Sequence, residues 1–195
     1  GVQQVSLGDP PGMTFAVALK AFLRQAPDSL LVGEIRDTET AAITLQAARS
    51  GHRVLTSLHA GDEQAALRRF RDFGFPEGEI RLVSRMILLQ RLLPLLCPAC
   101  RIYAPLPADW PTRLQAASLS LPEVVAFPNG CARCRGGYRG RTGIFACLPG
   151  RQTGETPETL LQAAWRMVCQ GQTGLDSLSP FLPADPFWAR TGRER

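Results

Sequence analysis

Four of the six cysteines stand as two Cys-x-x-C pairs, Cys97-Pro-Ala-Cys100 and Cys131-Ala-Arg-Cys134. Each pair can present two thiolates from one tight turn, and two such turns complete a tetrahedral four-sulfur site for Zn²⁺. The chain opens Gly-Val-Gln-Gln, with neither a basic start nor an apolar leader. A cytoplasmic setting is therefore expected, in which paired motifs hold metal rather than disulfides. The 30 residues between the pairs exceed the roughly 15–20 of the common zinc template. An intervening subdomain can close that gap, and Gly136 and Gly137 suit a backbone that must bend tightly behind the sulfurs. Four thiolates leave no coordination position open, so the zinc is expected to hold structure rather than perform chemistry. Cys147 and Cys169 stand alone among apolar residues and read as small buried hydrophobes.

A second constellation is Asp28-Ser-Leu-Leu-Val-Gly-Glu34-Ile-Arg36-Asp37. An acid just after a short apolar strand lies at its carboxyl end, the edge where α/β sheets place ligands. There Glu34 can polarise a water for attack on a phosphoryl group, with Arg36 and Asp37 orienting it or pairing with each other. The same acid would equally serve as a helix-start carboxylate or as half of a surface ion pair. Gly51-His52-Arg-Val-Leu-Thr56-Ser57-Leu-His59 holds both histidines, one at either end of a predicted strand. About 20 Å apart if extended, they would not naturally share one metal. His59, with Thr56 and Ser57, leaves that strand at the ligand edge, where polar groups suit phosphate sensing. A structural imidazole is the plainer reading.

The elements that must position these residues follow from periodicity. Phe15, Leu19, Phe22 and Leu23 recur at helical spacing over 14–25, with Thr14 as cap and Pro27 as stop. Leu30-Leu31-Val32, ended by Gly33, has the look of a buried parallel strand. An Ala-rich helix over 38–50 closes at Gly51, and a strand follows over 53–58. Helices are predicted over 62–73, opened by Asp62 and closed by Gly74, and over 77–93, stopped by Pro94. Strand–helix–strand–helix order with short connections predicts an α/β fold, a parallel sheet flanked by helices. Two strands are too few for a complete domain of that kind, so the segment reads as the second half of one. From 97 to 149 Pro, Gly and the Cys pairs dominate, with helical periodicity only near 111–119. A polar connector over 150–155, a helix over 157–170 and a short turn capped by Asp176 follow. The tail over 180–195, rich in Pro, is expected to be poorly ordered. The predicted organisation is an α/β part over 1–96, a tetracysteine subdomain over 97–149 and a short helical region over 150–195.

Composition removes several classes. With 45% hydrophobic and 20% charged residues in 195, wholesale disorder is excluded. No apolar stretch approaches the roughly 20 residues of a membrane span. Lys20 is the only lysine among 22 basic residues, and it lies between Leu19 and Ala21. A phosphate-binding P-loop needs Gly-Lys-Ser/Thr, so the chain holds no Walker A motif. The net charge of +5, with Arg133, Arg135, Arg139 and Arg141 around one knuckle and Arg68, Arg69 and Arg71 elsewhere, raises nucleic-acid binding. Against it, only 7% of residues are aromatic, and they do not suggest a surface for stacking bases. The arginines read instead as a surface for acidic partner segments or anionic lipid, and no nucleic acid is expected.

In order along the chain come Leu23-Arg24-Gln25-Ala-Pro27-Asp28, Gly33-Glu34-Ile35-Arg36-Asp37, Gly51-His52 and Leu58-His59. Gln90-Arg91-Leu92, Leu96-Cys97-Pro98 and Gly140-Arg141-Thr142-Gly143 follow. Together they resemble the type II secretion and type IV pilus assembly ATPases, closely over 3–149 and loosely over 159–180. The resemblance implies the carboxyl-terminal half of a RecA-like P-loop NTPase core, assembled as a homo-hexamer. Such a core uses ATP and Mg²⁺ to drive pilin or pseudopilin polymerisation, in the cytoplasm but peripheral to the inner membrane through a platform protein. Val32-Gly33-Glu34 matches the family's Walker B motif, which implies Glu34 as the catalytic carboxylate. The stretch from Gly51 to His59 matches its His box, which implies His59 as γ-phosphate sensor, with His52 and Arg36 also at the nucleotide. Cys97, Cys100, Cys131 and Cys134 match its Zn²⁺ subdomain. Four positions depart from the pattern: Ala26 stands for a usual Asp, Pro94-Leu95 for a basic pair, and Ala146 for a Glu. Lacking Walker A and the family's acidic Asp box, the chain alone is expected not to hydrolyse ATP. The rival readings are a degenerate, non-hydrolysing subunit that docks on an active partner and, behind it, a zinc-ribbon nucleic-acid binder.

Overall fold

The computed structural model describes residues 3–4, 13–149 and 157–182. These fall into two compact units, divided between Ile87 and Leu88. In the first, α1 (Phe15–Leu23) starts where the Thr14 hydroxyl accepts the Val17 N–H at 3.2 Å. β1 (Ser29–Val32) leads to α2 (Thr38–Arg49), capped by Asp37, whose Oδ1 accepts the Thr40 N–H at 2.7 Å. β2 (Arg53–Thr56) returns alongside β1 in parallel, with Leu30 opposite Val54 and Val32 opposite Thr56. α3 (Glu63–Asp72), capped by Asp62, and α4 (Glu77–Val83) follow. Alternation puts Leu30 and Val32 into a core with Leu19, Ile35, Ala41 and Ala47. Leu31 and Leu55, opposite each other in register, are 80% and 53% exposed instead. One face of the parallel pair is thus packed and the other open, whereas parallel sheets ordinarily bury both.

The second unit holds most of β3 (Met86–Leu96), then β4 (Ile102–Pro105), α5 (Trp110–Ala116) and β5 (Val124–Phe127). β6 (Tyr138–Pro149) up to Leu148, α6 (Leu160–Cys169) and a 3₁₀ turn at Leu175–Leu178 complete it. β3 pairs with β6, and β4 runs antiparallel to β5. Leu93, Leu114, Val125, Ile144, Trp165 and Val168 share one core. The tetracysteine segment and the carboxyl-terminal helix therefore pack as one body.

Several expectations are corrected here. The helix predicted over 77–93 stops at Val83, where the Ser84 N–H closes onto Ile80 O, and Met86 onward is strand. A run as apolar as Met-Ile-Leu-Leu fits helix or strand alike, and pairing with distant β6 decides it. Pro94 breaks nothing in this two-stranded sheet; its carbonyl accepts the Thr173 hydroxyl at 2.7 Å. Cys147 and Cys169 are exposed rather than buried. Ile144 and Ala146 take the inward positions of β6, which turns Cys147 outward with Phe145. Asp176 is no cap; its Oδ1 accepts the Tyr138 hydroxyl at 2.7 Å. Ala26 sits at φ +46°, a left-handed conformation that an Asp tolerates better than an Ala. The connector over 150–155 and the tail beyond 182 lie outside the described residues.

Candidate functional site

β1 ends at Val32, and the chain turns through Gly33 to Glu34, Ile35 and Arg36 before Asp37 caps α2. β2 ends at Thr56 and continues through Ser57 and Leu58 to His59. Ser57 ties the two exits together. Its hydroxyl donates to Gly33 O at 2.5 Å, and its carbonyl accepts the Ile35 N–H at 3.2 Å. This stitch accompanies a contact between Glu34 and His59, Oε1 to Nε2 at 3.0 Å, while Arg36 Nε donates to Glu34 Oε2 at 2.6 Å. The Glu34 side chain is only 18% exposed, against 90% for His59 and 78% for Arg36. A sheltered carboxylate is thus held by two groups that reach into solvent. An ionised carboxylate offers about four lone-pair directions, so two partners leave room for a water.

The start of α2 belongs to Asp37, which is spent on capping and is not the partner of Arg36. Glu34 is accordingly no helix cap, and the ion-pair reading of this acid holds alongside any chemical one. His52 lies at the other end of β2. Its Nδ1 is 3.2 Å from Ala47 O and 3.0 Å from Ser50 Oγ, which finishes the end of α2. Glu34, Arg36 and His59 come together; His52 does not join them. Ser57 is the residue whose part was not legible, since a hydroxyl in a strand exit carries no distinguishing spacing.

The four sulfurs of Cys97, Cys100, Cys131 and Cys134 lie within 4.8 Å of one another. Each knuckle closes on itself: the Cys100 and Arg101 N–H groups reach Cys97 O, and the Cys134 N–H reaches Cys131 O. Between the knuckles, β4, α5 and β5 form the inserted subdomain that returns the chain. The Cys97 N–H donates to Gly137 O at 2.8 Å and so joins the two knuckles. Gly137 has φ +88°, and a Cβ there would stand 2.3 Å from Pro128 Cβ. Cys100 and Cys131 each approach Cys134 Sγ at 3.7 Å. A zinc–sulfur bond of about 2.3 Å in tetrahedral geometry needs a sulfur–sulfur edge of about 3.8 Å, so the donor set fits that ion. Burial pushes the Cys134 thiol up, but the Cys131 and Gly137 N–H groups and neighbouring thiols outweigh it and bring it down to about 7. Burial, joined by hydrogen bonds to the other thiols, pushes Cys100 up to about 11.

Residues 1–171 match the family described as Type II/IV secretion system protein. The chain belongs to that family. Among relatives of type II/IV secretion system proteins, it is 41% identical over 151 residues to the type IV pilus assembly ATPase PilB of Acinetobacter baylyi, a match covering 76% of this chain and 26% of that protein. It is 39% identical over 194 residues to the putative type II secretion system protein E of Escherichia coli K12, covering 96% and 39%. This type II/IV secretion system chain thus spans well under half the length of these relatives. In fold it is similar to the pilus retraction motor PilT solved with bound ADP, with TM-score 0.58 and 22% identity over 91% of this chain and 46% of that one. The Legionella pneumophila ATPase DotB gives TM-score 0.58 and 18% identity over 86% and 42%.

Proposed function

We propose that this chain is the carboxyl-terminal part of an ATPase that powers type II secretion or type IV pilus assembly, with Glu34 polarising the attacking water. The observation that carries the reading is the contact of Glu34 with His59 at the carboxyl ends of two parallel strands, where α/β sheets place ligands. Glu34 accepts a hydrogen bond from water and so fixes the direction of its oxygen lone pair. Arg36 and His59 hold the carboxylate in one orientation, and the exposed imidazole stands where a terminal phosphate would be sensed.

ATP is the substrate in this reading, and Mg²⁺ neutralises phosphate charge when bound. The Gly-Lys-Ser/Thr loop that would hold both is not in this sequence, and Glu34, Arg36 and His59 do not replace it. The chain on its own is therefore proposed to be inactive. Hydrolytic residues fall within 1–96, and the Zn²⁺ ligands Cys97, Cys100, Cys131 and Cys134 fall within 97–149, where the ion would cross-link two knuckles without an open position. The open face at Leu31 and Leu55 supports a larger core that covers it. Homo-hexameric assembly on an inner-membrane platform, with the protein otherwise cytoplasmic, extends the same reading. Among the described residues no helix is long and apolar enough to cross a membrane.

A chimera tests the proposal: this chain in place of the matching segment of the Escherichia coli relative. ATP turnover by the chimera is expected. A chimera that folds and binds nucleotide without turnover would favour the non-hydrolysing subunit.

A further inference from the structure

We propose that α3 carries a seat for a short chain of phosphates, formed by Arg68, Arg69 and Arg71 beside His59. An open cavity of about 330 Å³ is lined by His59, Ala65, Arg68, Arg69, Arg71 and Asp72. Its volume is at the small end of sites that take small molecules. Three guanidiniums face a single carboxylate there.

Several other basic side chains of the first unit are matched. Lys20 pairs with Glu39, Arg49 with Glu79, and Arg81 with both Glu77 and Glu63. Arg68 and Arg71 make no hydrogen bond or ion pair among the described residues. Asp72, four positions from Arg68 and well placed for a helical pair, does not form one with it. Arg69 lies over the Phe73 ring, 4.9 Å from its centroid, a stacking that leaves its N–H groups unspent. Three exposed like charges within four residues of one helix repel each other, and an anion in the cavity relieves that repulsion. Guanidinium forks match phosphate oxygens two at a time, which favours a phosphate chain over a single carboxylate.

His59 joins this cavity to Glu34, where phosphoryl chemistry is proposed. The choice of phosphate as ligand rests on that reading; the charge imbalance does not. The phosphate chain belongs either to a nucleoside triphosphate or to a free polyphosphate.

Titration calorimetry on the whole chain, first with tripolyphosphate and then with ATP, tests the seat. Tripolyphosphate is expected to bind, more weakly as salt rises. The double variant Arg68→Gln/Arg71→Gln should weaken it at least about tenfold, since a charged hydrogen bond contributes enough for that factor. Arg53→Gln/Arg85→Gln removes the same charge outside the cavity and should change little. Arg68→Glu, at an exposed helical position, checks the result by reversing one charge. Tighter binding of ATP than of tripolyphosphate assigns the seat to a nucleotide, and equal binding assigns it to any phosphate chain. The proposal is overturned if neither probe binds, or if the Arg68/Arg71 pair behaves like the Arg53/Arg85 control. It is equally overturned if poly-glutamate binds there and tripolyphosphate does not displace it. Glu34→Gln should leave tripolyphosphate binding intact, so loss of the hydrolytic reading and loss of this seat show up in different measurements.

Discussion

Glu34 Oε1 and His59 Nε2 stand 3.0 Å apart although one follows β1 and the other β2. Parallel register alone places their strands side by side, and Ser57 then draws the two exits together through Gly33 O and the Ile35 N–H. A contact whose imidazole is 90% exposed contributes little stability, at most about 1 kcal/mol. Its value lies in fixing where the carboxylate points.

The sulfur cluster gives the first prediction. The purified chain should contain one Zn²⁺ per molecule by elemental analysis, and Cys97→Ser/Cys131→Ser should contain almost none. Stripping the ion with a chelator should cost the second unit on the order of 10 kcal/mol, seen as loss of its cooperative melt. Metal-free protein with an unchanged melt would contradict the assignment.

Gly137 gives the second. Its φ of +88°, and the 2.3 Å that would separate a new methyl from Pro128 Cβ, mean that Gly137→Ala must move backbone. That backbone carries the carbonyl bonded to the Cys97 N–H. The variant should lose about 2 kcal/mol or more in denaturant melts and release Zn²⁺ more readily to a competing chelator. Gly136→Ala, at φ +59° with nothing within 4 Å of the new methyl, should lose only about 1–2 kcal/mol.

Tyr138 sets a limit at high pH. Burial, then its hydrogen bond to Asp176 and the charge of that carboxylate, holds its hydroxyl far above the usual tyrosine range. A raised folded pKa means the folded state keeps a proton that the unfolded state loses. The contribution is thus complete below about pH 10, the unfolded value, and lost as pH rises beyond it. Melting temperature should fall above that pH, and Tyr138→Phe should flatten the fall while costing about 1 kcal/mol at neutral pH.

How much of this was legible in the sequence depended on whether a local rule was enough. Thr14, Asp62 and Gly51 mark helix ends by their own chemistry, and each stands where its type predicts. The Cys spacing likewise announced a cluster. Met86 to Leu96 failed because an apolar run does not say whether its partner is the next turn of helix or a strand far along the chain. Cys147 and Cys169 failed for a related reason: apolar neighbours in sequence alternate faces in a strand or helix, so a residue among them can still point outward. At the strand exits Glu34 and His59 were legible as residue types, but Ser57, which joins them, and Asp37, which withdraws from them, needed coordinates.

Turnover by the chimera with and without Glu34→Gln tests the central claim most directly. Gln keeps the size and one hydrogen-bonding oxygen but lacks the charge that polarises water. The substitution is expected to cut ATP hydrolysis roughly 10²–10⁴-fold while nucleotide affinity stays unchanged. Undiminished turnover accompanied by a lowered melting temperature would make Glu34 a structural ion-pair residue and contradict the account.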